Sequence, residues 1–211
     1  MKVGVVGSGQ VGQALGHGFA SLGYDVRIGS RDPGKLRGWV DQHGRHAGAG
    51  TFDEVAEFGE LMVIATSWSG TANALQLAGP RQFAGKVVID ATNPLDSTSS
   101  APRLAISGQD SGGEQVQRWL GDARVVKAFN TVGHAQMFRP EFPAGPPDMF
   151  IAGDDAGAKR TVTGLLKDFG WGIVDAGSIE ASRYLEALAM LWIAYAARTR
   201  STNAAFKLLR K

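Results

Sequence analysis

Three glycines spaced two and three apart, Gly7, Gly9 and Gly12, stand in the run Gly7-Ser8-Gly9-Gln10-Val11-Gly12, directly after the apolar stretch Val3–Val6 and at the opening of a helical pattern. That is the arrangement a pyrophosphate needs. Gly7 permits the tight turn out of a strand, Gly9 lets the main chain approach the phosphates, and Gly12 lets the helix pack closely on the strand. The unpaired N–H groups at the start of the helix then face negative oxygens. The plain alternative is a tight turn that holds no ligand.

A second test lies about 20 residues on, where an Asp or Glu at the end of the next strand would accept from both ribose hydroxyls and favour NAD. The chain instead reads Val26-Arg27-Ile28-Gly29-Ser30-Arg31, with Lys35 shortly after. A hydroxyl, a guanidinium and an ammonium fit a 2′-phosphate, so these residues point to NADP(H). Asp32, followed by Pro33, reads as a helix N-cap whose carboxylate turns to the helix N–H groups rather than to the ribose. Solvated surface charges are the ordinary alternative for Arg31 and Lys35.

Acid–base chemistry is sparse. Of the four histidines, His17 falls opposite the apolar face of the first helix and is expected to be exposed, and His43 and His46 read as a solvated loop with no further ligands for a metal. His134 alone follows a strand on the side where substrate would sit, and it is the one weak catalytic candidate. Lys127 is singled out as an ionisable residue within a strand near that edge. No Ser/His/Asp order, HExxH or paired-carboxylate motif is present. A carbonyl or imine reductase wants a proton donor beside the hydride acceptor, whereas hydride exchange between two cofactors needs mainly ring stacking and distance. The missing acid favours the second chemistry.

These residues need a scaffold, and the patterning supplies one. Short β-branched runs at Val3–Val6, Asp25–Gly29, Leu61–Ala65, Val87–Asp90, Val125–Ala128, Met149–Ala152 and Ile173–Asp175 alternate with helical patterns, which indicates parallel βαβ units. Leu61–Ala65 lacks polar alternation, so helices should cover both sheet faces, as in a doubly wound α/β fold. Val11, Leu15, Phe19 and Leu22 share one face of the first helix, and Gly23 suits its C-terminal cap. Ligands of such a sheet lie beyond the carboxyl ends of the strands. The loops to watch are therefore Ala65–Trp68, Ala91–Pro94 and Phe129–Val132, with Asn93 and Asn130 equally readable as turn formers.

Asp96–Gly113 is polar, rich in Ser and Gly, and reads as a mobile loop or lid. From Ser178 the chain predicts one long helix through 34 residues without Gly or Pro. It is apolar nearly all round between Leu185 and Ala197, which implies a second partner surface and a homodimer. The expected division is residues 1–177 as the nucleotide-binding domain and 178–211 as a helical subunit contact.

Composition sets outer bounds. The 211 residues are 44% apolar and 20% charged, in the range of chains that bury a core. A formal charge of +2 does not suggest nucleic-acid binding. The absence of cysteine removes disulfides, zinc thiolates and thiol nucleophiles and is compatible with a reducing cytoplasm. The longest apolar run, Ala187–Ala197, is short of the about 20 residues that span a bilayer, so no membrane insertion is expected, and no secretion signal is visible at the N-terminus.

Five blocks, GVVGSGQVGQALGHGFASLGYDVRIGSRDP, VVIDATNPL, VVKAFNTVGHAQM, FIAGDD and DAGSIEASRYLEALAMLWI, together resemble the NADPH-dependent reductases of coenzyme F420. The reductase domains of membrane ferric reductases and, more distantly, pyrroline-5-carboxylate reductases are similar. The resemblance implies a Rossmann domain completed by C-terminal helices, NADP(H) at the glycine loop, and a deazaflavin or flavin ring stacked near the nicotinamide. By the same resemblance Gly7, Ser8, Gln10 and Val11 fall in the phosphate loop, Ser30, Arg31 and Lys35 in the 2′-phosphate set, and Ala65, Thr66, Asn93 and Asn130 in loops on the nicotinamide side. The stretch Pro94–Gly113 matches no motif of the group. The expected activity is hydride transfer between NADP(H) and F420 or a flavin-like cofactor. The alternatives are reduction of a small carbonyl or imine, assisted by His134 or Lys127, and a nucleotide sensor without turnover.

Overall fold

In the structure, a computed structural model that describes residues 1–99 and 101–211, strand and helix alternate from the first residues. β1 (Lys2–Val6) leads into α1 (Gln10–Ser21), β2 (Asp25–Gly29) into α2 (Arg37–His43), β3 (Ala47–Gly50) into α3 (Phe52–Phe58), and β4 (Leu61–Ile64) into α4 (Trp68–Ala78). After β5 (Val87–Asp90) a long connection precedes α5 (Gly112–Leu120); β6 (Arg124–Lys127), β7 (Asp148–Ile151), α6 (Ala156–Asp168), β8 (Gly172–Asp175) and α7 (Ser182–Thr199) follow.

Six strands form one parallel sheet in the order β3-β2-β1-β4-β5-β6. The order reverses beside β1, where Val5 lies between Ile28 of β2 and Val63 of β4. Such a switch opens a crevice at the carboxyl ends of the strands. β7 and β8 pair with each other in parallel, and an antiparallel bridge from Lys127 to Ala152 attaches them to the β6 edge. Leu61, Met62, Val63 and Ile64 are all buried because helices cover both faces. One side packs Leu15, Phe19, Trp39 and Phe169 on the sheet; the other packs Phe52, Val55, Leu75, Phe83 and Val116. Each such side chain contributes about 1.5–3 kcal/mol through burial.

Four local expectations change. β3, Ala-Gly-Ala-Gly, has no β-branched residue and is held in the sheet by its register with Val26–Gly29 rather than by propensity. Asp32 stands at the N-cap of a 3-10 turn, Pro33–Leu36, but its side chain makes no cap hydrogen bond; its carboxylate lies 3.6 Å from Lys35 Nζ instead. The connection after β5 is pinned where it was expected to be a loose lid. Leu95 and Leu104 form an antiparallel bridge, Asp96 accepts from Thr98 and Arg103, Asp110 holds Arg118 of α5, and α5 begins at Gly112 with Ser111 as its cap. Ser100, within the expected lid, lies outside the described residues.

The long C-terminal helix is also shorter than its pattern. Ile179–Ala181 is a 3-10 turn, α7 stops at Thr199, and Arg200 takes a left-handed φ of 55°. The tail then folds back. Trp192 Nε1 donates to Ala204 O at 2.7 Å, Asp148 N to Phe206 O at 2.9 Å, and Leu208 N to Asp148 Oδ2 at 2.8 Å. These tertiary bonds compensate the backbone groups that a continued helix would have paired.

Candidate cofactor site

The glycine loop sits where β1 meets α1 at the switch in strand order. Gly7 has φ 124°, which an L side chain rarely adopts, and a Cβ there would collide with the Ala65 carbonyl. A Cβ on Gly12 would strike the Gly7 carbonyl oxygen, so this glycine lets α1 start tight against the turn. A Cβ on Gly9 would meet nothing within 4 Å. The three glycines thus differ in role: two close the turn, and Gly9 faces open space where a ligand could approach. α1 begins without a side-chain cap bond and without an acid in its first turn, so its N–H groups and dipole remain available to phosphate oxygens.

Ser30 follows β2 and is buried, its Oγ 3.3 Å from Ser8 Oγ and accepting from Asp32 N at 3.1 Å. Arg31 and Lys35 are exposed beside it. Gly7, Ser8, Gly9, Ser30, Arg31, Lys35, Ala65 and Thr66 line one cavity of about 610 Å³, with Asp32, Phe52 and Asn73 among its other walls. The hydroxyls, amides and two cations suit the phosphate-bearing half of an NADP molecule.

A second cavity, about 640 Å³, shares Gly9, Ala65, Thr66 and Ser67 with the first and runs over the ends of β4 and β5. Its walls include Gln10, Val11, Thr92, Asn93, Leu95 and Pro102, Ile193 from α7, and Trp68, whose ring stacks on Trp119 with centroids 5.4 Å apart. The result is a cleft with one polar, cationic end and one apolar end. Trp68 belongs to the Ala65–Trp68 loop expected here, whereas Leu95, Pro102 and Ile193 were not singled out. Leu95 and Pro102 come from the connection closed by the Leu95–Leu104 bridge, and Ile193 comes from the distant α7.

Asn130 lines neither cavity. It is buried behind Asn93: Asn93 Nδ2 donates to Asn130 O at 2.8 Å, and Asn130 Nδ2 donates to Asn93 Oδ1 at 3.1 Å and to Leu185 O at 2.9 Å. The amide pair fixes the β5 loop against the β6 loop and α7. Asn130 Oδ1 is buried without a partner among the described residues.

Proton donors are scarce in the apolar half. Asp96 and His134 are the two ionisable side chains among the described lining residues. Bonds from Thr98 and Arg103 hold the Asp96 carboxyl down to about 2, which leaves it an ionised acceptor. His134 is exposed at the start of a 3-10 turn. Lys127 cannot assist a reaction in the cleft, because it is fully buried between Asp90 and Glu186, its Nζ 3.0 Å from Asp90 Oδ2 and 2.8 Å from Glu186 Oε1. Burial pushes the ammonium down, but the two carboxylates outweigh it and hold its pKa above the ordinary lysine value. Neither partner was foreseen; Asp90 ends a strand that was, and Glu186 lies 59 residues beyond Lys127. His43 and His46 do not lie in a solvated loop: His43 ends α2, stacks on Trp39 and bonds His17, and His46 sits in a 3-10 turn and bonds Asp25.

Comparison with known proteins follows the same geometry. Residues 2–94 match the family model described as NADP oxidoreductase, coenzyme F420-dependent. The crystal structure of a candidate F420-dependent NADP reductase from Arthrobacter sp. FB24 superposes with a TM-score of 0.94 at 37% identity, covering 100% of both chains. The F420-dependent NADP reductase of Methanothermobacter thermautotrophicus is 29% identical over 99% of this chain and 94% of its own length. Metalloreductase STEAP3 of Rattus norvegicus is 29% identical over 89% of this chain, which spans 36% of that protein.

Proposed function

The chain belongs to the family of coenzyme F420-dependent NADP oxidoreductases, and from that premise we propose that it passes a hydride between NADP(H) in the polar half of the cleft and the deazaflavin of coenzyme F420 in the apolar half. The observation that carries this reading is the pair of adjoining cavities, about 610 and 640 Å³, joined at Gly9 and Ala65–Ser67. When bound, the two cofactors supply the hydride donor and acceptor.

The chain's residues bind and align. The Gly7–Gly12 turn and the start of α1 receive the pyrophosphate, and Ser30, Arg31 and Lys35 receive the 2′-phosphate. Lys35 reaches it by leaving Asp32, a contact at 3.6 Å between exposed side chains that holds it weakly. Asn93, braced by Asn130, and Thr66 orient the nicotinamide side. Trp68, Leu95, Pro102 and Ile193 exclude water and give a second flat ring an apolar wall. The proton that accompanies the hydride onto oxidised F420 is taken from solvent, so no side chain is assigned as its donor.

The exposed apolar face of α7, with Tyr184, Leu191 and Tyr195, supports a homodimer in which residues 178–211 form the subunit contact. The lack of cysteine supports a cytoplasmic setting.

Titration of oxidised F420 into protein saturated with NADP+, which cannot react, tests the two-cavity reading. One equivalent of F420 is expected to bind the loaded protein. Displacement of NADP+ by F420 would contradict it.

A further inference from the structure

Behind the nicotinamide loops lies a charge cluster that the hydride reading does not use. Asp90, Lys127 and Glu186 are each at most 1% exposed. Asp90 Oδ1 accepts from Thr92 N at 3.0 Å and Thr92 Oγ1 at 2.7 Å, and its Oδ2 accepts from Lys127. Glu186 Oε2 accepts from Gly112 N and Oε1 from Gly113 N, both at 3.0 Å, and Oε1 also meets Lys127. Each of the four carboxylate oxygens accepts from at least one group that can only donate, a backbone N–H or the Lys127 ammonium. Both acids are therefore in the acceptor-only form. Two anions against one cation leave a surplus negative charge, offset in part by the N-terminus of α5, worth about half a positive charge.

The position of that surplus matters. Thr92, the direct partner of Asp90, and Asn93 line the apolar half of the cleft. The oxidised nicotinamide ring is a cation and the reduced ring is neutral, so a fixed negative charge nearby acts on one and hardly on the other. Screening by water is reduced there, because Thr92, which stands between, is buried.

Resting on the reading that NADP(H) places its ring at Thr66 and Asn93, we infer that the Asp90–Lys127–Glu186 cluster is a charge-setting positioning element that favours bound NADP+ over bound NADPH. It draws the bound couple toward the oxidised form and so assists hydride donation by NADPH. The same groups tie α7 and the start of α5 to the ends of β5 and β6, which fixes the surplus charge at a constant distance from the ring.

The test is the ratio of dissociation constants, NADP+ over NADPH, measured by titration in the whole protein and in Glu186→Gln. Loss of one negative charge from a poorly screened site should raise the ratio by about fivefold or more. Asp90→Asn removes the same charge from the other side of the ammonium and predicts the same direction, should Glu186→Gln fail to fold. The double variant Lys127→Met with Glu186→Gln removes one charge of each sign, and its ratio should return to within about twofold of the unaltered protein. A purely structural role would weaken both forms together and leave the ratio unchanged, and that result with both forms still bound overturns the inference alone. Failure of the unaltered protein to bind either form overturns the cofactor reading and the inference with it.

Discussion

Arg31 and Lys35 stand where a dinucleotide-binding chain that prefers NAD would carry a carboxylate, and both line the polar cavity beside Ser30. A guanidinium bonded to a phosphate is a charge-assisted contact worth about 1.5–3 kcal/mol. Arg31→Ala should therefore raise the dissociation constant of NADPH by about tenfold or more, while that of NADH changes by less than about threefold. Equal weakening of both would remove Arg31 from the 2′-phosphate site. His134 is argued the other way. It borders the cleft but is exposed and makes no side-chain hydrogen bond among the described residues, so His134→Ala should slow turnover by less than about tenfold, whereas loss of a general acid costs about 10²-fold or more. A loss of that larger size would return the carbonyl or imine reductase to consideration. The glycine loop was legible in the sequence because its chemistry is local: three glycines within six residues carry it. The Lys127 cluster was not, because its anions stand 37 and 59 positions away and only the fold brings them to one ammonium.

Elements follow the same division between local and distant causes. α1 is readable from Val11, Leu15, Phe19 and Leu22, and β4 from its unbroken apolar run. β3 is hidden because Ala-Gly-Ala-Gly has little strand propensity and owes its place to β2. The end of α7 is hidden because no Gly or Pro marks it; Arg200 turns left-handed so that the tail can bond Trp192 and Asp148. The pinned connection after β5 is hidden because the Leu95–Leu104 bridge and the Asp110–Arg118 pair, though close in sequence, follow no helix or strand period. α1 and α2 also meet through a titratable contact, His17 Nδ1 at 2.8 Å from His43 Nε2. Partial burial, and then the neighbouring His43, lower the His17 pKa from its ordinary value near 6.5. The unfolded chain takes up this proton first, so the contribution to stability is complete above about pH 6.5 and is lost as pH falls through the folded value. The Tm should drop between about pH 7.5 and 5.5, and His17→Gln should flatten that drop. Parallel curves for the two proteins would show that the pair has no such role.

At the scale of the molecule, α7 serves two surfaces. Its inner side brings Ile193 to the cleft and Glu186 to Lys127; its outer side leaves Tyr184 at 73% and Leu191 at 61% exposure. These exposed apolar side chains support the proposed subunit contact. Light scattering should give twice the 22.3 kDa chain, and Leu191→Lys should shift the population toward that single-chain mass. A single-chain mass in the unaltered protein would leave the face without a partner copy.

Hydride transfer between the two cofactors is tested most directly by following NADPH oxidation by the pure protein with oxidised F420, FMN, FAD and no acceptor in parallel. Sustained turnover with F420, and little with the two flavins or without acceptor, is the expected result. Tight NADPH binding with no turnover on F420 would contradict it and assign the apolar half of the cleft to a different hydride acceptor.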